Sequence, residues 1–298
     1  MPELPDVVVY LEALERHVVG HTLDKVRVSG ISALKSFDPP LGAIEGRVVA
    51  GTRRLGKRLV FDFGDDLFCV IHLMVSGRLH WRDRGAKAGR NGLAVFDFAT
   101  GSLVLTEASK KKRASIWVVA GSDQLAADHD RGGAEPLEVD ATTFAEVLRA
   151  RNRTLKRALT DPTIFSGIGN AYSDEILVRA GLSPVRRTGQ LDDAEAARLH
   201  GAVVATLEEW TDRLRAEVGE GFPSKVTAFR PEMAVHGRHG EPCGLCGTTV
   251  QRIVYASNEV NYCPACQTEG RILADRSLSR LLKDDWPTTI EDLEDRGP

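Results

Sequence analysis

Long apolar runs are missing from this 298-residue chain. No stretch reaches the roughly 18 apolar residues that a membrane-spanning helix needs. The first residues show neither a basic-then-apolar secretory signal nor an Arg-rich transit peptide, so a cytoplasmic protein without a membrane partner is expected. Charge excess is also missing: the net charge is −3 and the pI near 6.3. That balance argues mildly against a nucleic-acid partner, because phosphate binding rests on local Lys and Arg. Distribution matters more than the sum. Acidic residues crowd into 191–220 and the last fifteen positions, whereas "RRLGKR" and "KKKR" are basic and lie close to strand-like segments.

Cysteine is scarce as well. There are five: Cys69 stands alone in "LFCVIHL", and the other four form two pairs. Cys69 reads as a small core residue. Cys243 and Cys246, then sixteen residues, then Cys263 and Cys266 give the C-x2-C…C-x2-C spacing of a zinc site. In an intracellular chain such pairs bind metal rather than form disulfides. Four cysteines leave no open coordination position, so one structural Zn2+ is expected.

The 42% hydrophobic content is enough for real cores in two or three domains. An amphipathic helix is expected from about Pro5, with Leu11, Leu14 and Val18 at helical spacing. Residues 23–119 carry strand-like runs ("LVFDF", "LFCVIHLMV", "LAVFDF") separated by turn signals, which predicts an antiparallel sandwich or barrel. The polar, Gly-rich stretch 121–140 is assigned as a linker between a first domain, 1–120, and a helical domain, 141–218. Within the latter, "SGIGNAYSDEILVRAG" describes a tight turn feeding a helix N-terminus, whose free N–H groups suit an anion. A cysteine-bearing hairpin, 219–267, and an extension, 268–298, complete the division.

Pro2 poses its own question. Proline suits the first turn of a helix, but that role falls to Pro5. If Met1 is removed, Pro2 becomes a secondary amine able to attack a sugar C1′ and form an iminium.

Three motifs in order, "MPELPDV", "GIGNAYSDE" and "GRHGEPCGLCG…YCPACQ", make residues 1 to about 267 resemble the formamidopyrimidine-DNA glycosylase and endonuclease VIII family of base-excision repair enzymes. The resemblance implies an α+β protein with three parts: an N-terminal β-sandwich with the catalytic N-terminal helix, a helix–two-turn–helix domain, and a C-terminal zinc β-hairpin. It implies a monomer, located in the cytoplasm at the nucleoid, that takes double-stranded DNA carrying damaged bases or abasic sites. It casts Pro2 as the nucleophile, Glu3 as the proton-transfer group, and Lys57 as a phosphate ligand grouped with them. His72 and Asn170 match further phosphate ligands.

Several positions depart from the family. Asn258 stands where a zinc-hairpin arginine is usual, and Val75 stands where a void-filling methionine is usual. An Arg-Phe pair finds no match in "EASKKKRAS", and Asp6 replaces a glutamate. The loop "GFPSKVTAFRPEM" is short. The alternative reading is therefore a catalytically silent, zinc-containing paralogue that binds damaged DNA. A small-molecule tautomerase using Pro2 as a base would leave the hairpin and the Asn170 turn without a role.

Overall fold

The computed structural model describes residues 1–224, 226–227, 229–255, 258–275, 279, 281 and 286–294. The chain divides into two compact units, Met1–Arg131 with Glu209–Thr227, and Gly132–Glu208 with Ala228–Pro298.

The first unit begins with helix α1, Leu4–Val18, with Pro5 in its first turn. Its buried stripe runs through Val7, Tyr10, Leu14 and Val18, while Leu11 packs at the margin. Eight strands follow: β1 (Leu23–Val28), β2 (Gly51–Leu55), β3 (Arg58–Asp62), β4 (Leu67–His72), β5 (Gly77–Arg82), β6 (Gly92–Phe98), β7 (Gly101–Glu107) and β8 (Ser115–Ala120). They form two antiparallel four-stranded sheets, ordered β1-β6-β7-β5 and β2-β3-β4-β8. Leu59, Phe61, Cys69 and Ile71 of one sheet share a core with Leu79, Phe96, Leu103 and Leu105 of the other and with α1. This is a sandwich, which decides the sandwich-or-barrel alternative.

Strand β4 explains why "LFCVIHL" reads as a continuous apolar run. Leu67, Cys69 and Ile71 face the main core, whereas Phe68 and Val70 face a second cluster with Val60, Val119 and Leu125. Both faces of the strand are covered, so its pattern cannot alternate. The covering element is helix α2, Ser122–His129. It lies within the stretch assigned as a linker, and the first unit continues to Arg131. Leu125 is its only buried large apolar residue, too thin a signal to read from periodicity.

The second unit carries α3 (Ala141–Arg149), α4 (Leu155–Thr160), α5 (Asn170–Arg179) and most of the 26-residue α6 (Asp193–Val218). Asp140 caps α3 by accepting from the Thr143 N–H at 2.7 Å. Strands β9 (Gln251–Val254) and β10 (Glu259–Tyr262) pair as an antiparallel hairpin, followed by α7 (Pro264–Thr268) and α8 (Ile290–Glu294). The segment 219–227, expected with the hairpin, belongs to the first unit: Val226 joins its core, and Phe222 packs 5.8 Å from Tyr10. The described part of the extension is tied to the hairpin. Asp275 accepts from the Val254 N–H at 2.6 Å, and the Leu273 N–H donates to the Tyr262 hydroxyl at 2.7 Å. No helix among the described residues is long and apolar enough to cross a membrane.

Candidate functional site

Pro2 and Glu3 sit immediately before α1, and both are buried. The Glu3 N–H, one of the unpaired donors of the first turn, donates to Asp6 Oδ2 at 2.9 Å. An aspartate at the third helical position closes this capping bond, so the change from glutamate at Asp6 keeps the role. The α-amine in this structure belongs to Met1. Burial lowers its proton affinity, the positive charges of Arg78 and Lys57 lower it further, and Glu3 and Asp6 oppose them. A terminal amine here is held toward its neutral, nucleophilic form.

Lys57 reaches this neighbourhood through a two-residue hairpin. β2 ends at Leu55 and β3 begins at Arg58, and Gly56 takes φ of 59°, the left-handed value that a tight two-residue turn requires. Arg58 faces His72 across the β3–β4 ladder. Burial, with Arg58, Lys57 and His129 adding positive charge, pushes the His72 imidazole down to about 4. His72 is therefore neutral near pH 7, an imidazole free of standing positive charge. Arg78, on β5, was not evident in the sequence. Its place two residues after Ser76 in "VSGRL" is the only signal, and its guanidinium donates to the Val75 and Gly77 carbonyls at 3.2 and 2.6 Å.

The β4–β5 turn shows why "SG" follows Val75. A Cβ on Gly77 would lie 2.3 Å from the Leu73 carbonyl oxygen, so the close approach admits only glycine. Met74 takes φ of 52°, and Val75 is 56% exposed at the tip. In the β7–β8 loop the buried Glu107 carboxylate accepts from the N–H groups of Arg113 and Ala114 at 2.7 and 2.9 Å. The Lys112 ammonium donates to the Glu107 carbonyl. Lys110, Lys111 and Arg113 are left exposed on a fixed loop.

The remaining expected residues lie in the second unit. Asn170 opens α5, and its Nδ2 donates to the Glu259 carbonyl of β10 at 3.0 Å. Lys156 donates to the Asn170 carbonyl and to Asp174 Oδ1, both at 2.6 Å. Asp174 Oδ2 meets His236 Nδ1 at 2.8 Å and accepts from the Asn261 N–H at 3.2 Å. Glu175 accepts three backbone N–H groups, from Ala234, Val235 and His236, at 2.7, 3.0 and 2.9 Å. The motif "YSDEI" thus holds two carboxylates that pin the 234–236 segment, and Asp174 also pins β10. Reading the motif only as an anion-binding turn missed them. Asn258 sits at the hairpin turn, its carbonyl accepting from the Tyr255 N–H at 2.8 Å. Asn170 and Asn258 line one pocket.

The Sγ atoms of Cys243, Cys246, Cys263 and Cys266 lie within 4.8 Å of one another. A tetrahedral ZnS4 centre with bonds of about 2.3 Å needs S–S edges of roughly 3.8 Å, which this cluster accommodates with small adjustment. The Leu245 and Cys266 N–H groups donate to Cys243 Sγ and Cys263 Sγ at 3.4 and 3.5 Å, stabilising thiolate charge. The donor set fits a single structural zinc.

Comparison with known proteins matches all three regions. Residues 1–114 match the formamidopyrimidine-DNA glycosylase N-terminal domain, 133–215 its helix–two-turn–helix domain, and 240–268 the zinc finger found in these enzymes and in isoleucyl-tRNA synthetases. A formamidopyrimidine-DNA glycosylase of Desulfitobacterium hafniense is 30% identical over 278 residues, covering 90% of this chain and 100% of that protein. An uncharacterised formamidopyrimidine-DNA glycosylase-like protein of Mycobacterium tuberculosis is 41% identical over 151 residues, 51% of this chain and 94% of that protein. Among solved structures, a Lactococcus lactis enzyme in complex with an oxidised-pyrimidine DNA has a TM-score of 0.78 at 27% identity, covering 90% of this chain and 100% of that one. Another from the same organism is bound to DNA containing an abasic site, with a TM-score of 0.77 at 26% identity, covering 89% of this chain and 99% of that one.

Proposed function

Because the chain belongs to the formamidopyrimidine-DNA glycosylase family, we propose that it is a base-excision repair enzyme, a DNA glycosylase with abasic-site lyase activity acting on duplex DNA. The observation that carries the reading is the buried chain start, where a terminal amine is flanked by Glu3 and biased toward its neutral form by burial, Arg78 and Lys57.

Loss of Met1 transfers that amine to Pro2. The proline nitrogen's lone pair attacks C1′ of a nucleotide swung out of the stack, the C1′–base bond breaks with its electrons leaving on the base, and the proton lost from the proline nitrogen neutralises the departing base. Glu3 donates a proton to the ring oxygen as the sugar opens, giving an iminium. The cationic nitrogen draws electrons when the C2′ proton is removed, the C3′–O bond breaks, and a second elimination breaks C5′–O. Water then adds to the iminium carbon, the C–N bond breaks, and the Pro2 amine is regenerated. Lys57 and His72 bind phosphate near the reacting sugar, and Asn170 and Asn258 bind backbone phosphate of the DNA. The zinc ion, held by Cys243, Cys246, Cys263 and Cys266, keeps the β9–β10 hairpin folded. The protein acts as a monomer in the cytoplasm, at the nucleoid.

Borohydride reduces an iminium to a stable amine, so Met1-processed protein should be trapped on abasic DNA as a slow-migrating band. An N-terminal tag that retains Met1 should abolish trapping. Glu3→Gln should lower base removal by about 10²–10⁴-fold while abasic-site trapping persists. The second reading, a silent DNA-binding paralogue, is favoured by Asn258 and Val75. It prevails if processed protein binds abasic DNA and never crosslinks.

A further inference from the structure

The pocket lined by Asn170 and Asn258 has a volume of about 230 Å³ and no carboxylate among the described residues of its wall. Two cationic residues, Lys156 and Arg157, are adjacent in α4 and contribute to it, and their circumstances differ. Lys156 is 7% exposed and committed to Asp174 and the Asn170 carbonyl. The Arg157 side chain is exposed and makes no hydrogen bond or ion pair among the described residues. The nearby acid, Asp161, is already engaged by Arg153 at 2.8 Å and by Thr163. One uncompensated guanidinium therefore faces a space bordered by the Asn258 amide, the Thr154 and Thr160 hydroxyls and the partly exposed Tyr255 ring.

We infer that Arg157 is a phosphate-binding residue and that this pocket holds one backbone phosphodiester of bound DNA, its cation supplied by α4 rather than by the zinc hairpin. Charge selects the ligand class. Among the described residues the pocket has a single free cation, which matches the single charge of a phosphodiester, whereas a phosphomonoester near pH 7 carries close to two. Volume agrees, since the space exceeds a bare phosphate and has apolar wall at Val260 and Val185 for an adjoining sugar. The guanidinium supplies two parallel N–H donors to the phosphate oxygens. Asn258, in the same lining, contributes a neutral amide. The unit thus keeps a cation in the pocket although the hairpin turn lacks one.

The inference rests on the DNA-repair reading and is tested separately from it. The probe is a duplex carrying a tetrahydrofuran abasic analogue, with affinity measured across a salt series. Arg157→Ala should weaken binding about tenfold and reduce the slope of log K against log salt by about 0.9, one phosphate's worth. Arg157→Lys should keep the slope and recover part of the affinity, because the charge stays and the fork is lost. The double variant Arg157→Ala with Asn258→Arg should restore the slope by returning a cation to the same space from the hairpin side. An unchanged slope in Arg157→Ala overturns the inference, and so does a lost slope that Asn258→Arg fails to restore. An unchanged slope with inorganic phosphate raising the melting temperature of the wild type alone would assign the pocket to free phosphate. At saturating protein, Arg157→Ala should still crosslink to abasic DNA under borohydride. A wild type that binds but never crosslinks would defeat the N-terminal mechanism and leave this pocket standing.

Discussion

The two units bury charge in opposite ways. In the first, the buried acids and histidine, Glu3, Asp6, Glu107 and His129, stand at the ends of elements, around an apolar interior shared by both sheets and α1. In the second, Lys156, Asp174, Glu175 and His236 converge on one helix and on each other. The sandwich draws its cohesion from removing Leu, Val and Phe surface from water, so its polar groups are free to sit where chemistry needs them. The helical unit uses its buried charges as fasteners, and a thiolate-bound metal adds to them. An isolated ionised group in such surroundings costs several kcal/mol, and only mutual pairing makes the arrangement stable. Buried charge alone therefore marks neither a site nor a strut; what distinguishes the two is whether its partners are already satisfied.

The largest effect expected from this contrast is on metal removal. Structural zinc contributes on the order of 10 kcal/mol of binding free energy that is also folding free energy. Chelation, or Cys243→Ser, should melt the hairpin and weaken DNA binding, while the sandwich keeps its own thermal transition. Metal analysis should return one zinc per chain, and less than half an equivalent from carefully purified protein would defeat the assignment.

Next comes the fastener itself. Asp174→Ala leaves the Lys156 ammonium buried without its carboxylate, a change worth about 3–5 kcal/mol. Calorimetry should show the loss in the transition of the helical unit, and a loss confined to the sandwich transition would reverse the comparison.

The smallest effect is a pH dependence in the sandwich. His72 titrates near 4 when folded and near its ordinary 6.5 when unfolded, so between those values the unfolded chain binds more protons. Stability should fall as pH drops from 6.5 toward 4, and His72→Gln should flatten part of that fall. His80 and His129, also shifted down by burial, act in the same direction. A melting temperature that rises on acidification through this window would contradict the burial of His72.

Much of this could be read before the structure. The zinc ligands follow from spacing alone, and the N-terminal helix and most strands from apolar periodicity. What stayed hidden involves partners distant in sequence. Glu175 accepts from residues 59 to 61 positions away, and the Asp174–Asn261 bond spans 87. No local pattern encodes such a bond, although two acids buried within α5 show that something must satisfy them. Helix α2 escaped because one leucine does most of its packing. Arg78 escaped because an arginine on a strand is ordinary until the chain start is seen beside it.

Cys69 gives the protein an uneven exposure to oxidants. It is fully buried in the sandwich core, and burial pushes its thiol up to about 12, so it carries almost no thiolate and is closed to peroxide and alkylating reagents. The other four sulfurs are the metal's ligands, and one of them, Cys246, is exposed. In cells under the oxidative stress that damages DNA bases, thiol chemistry would strike the hairpin first and leave Cys69 untouched. A thiol-counting reagent applied to the native protein would in effect report how much of it still holds zinc.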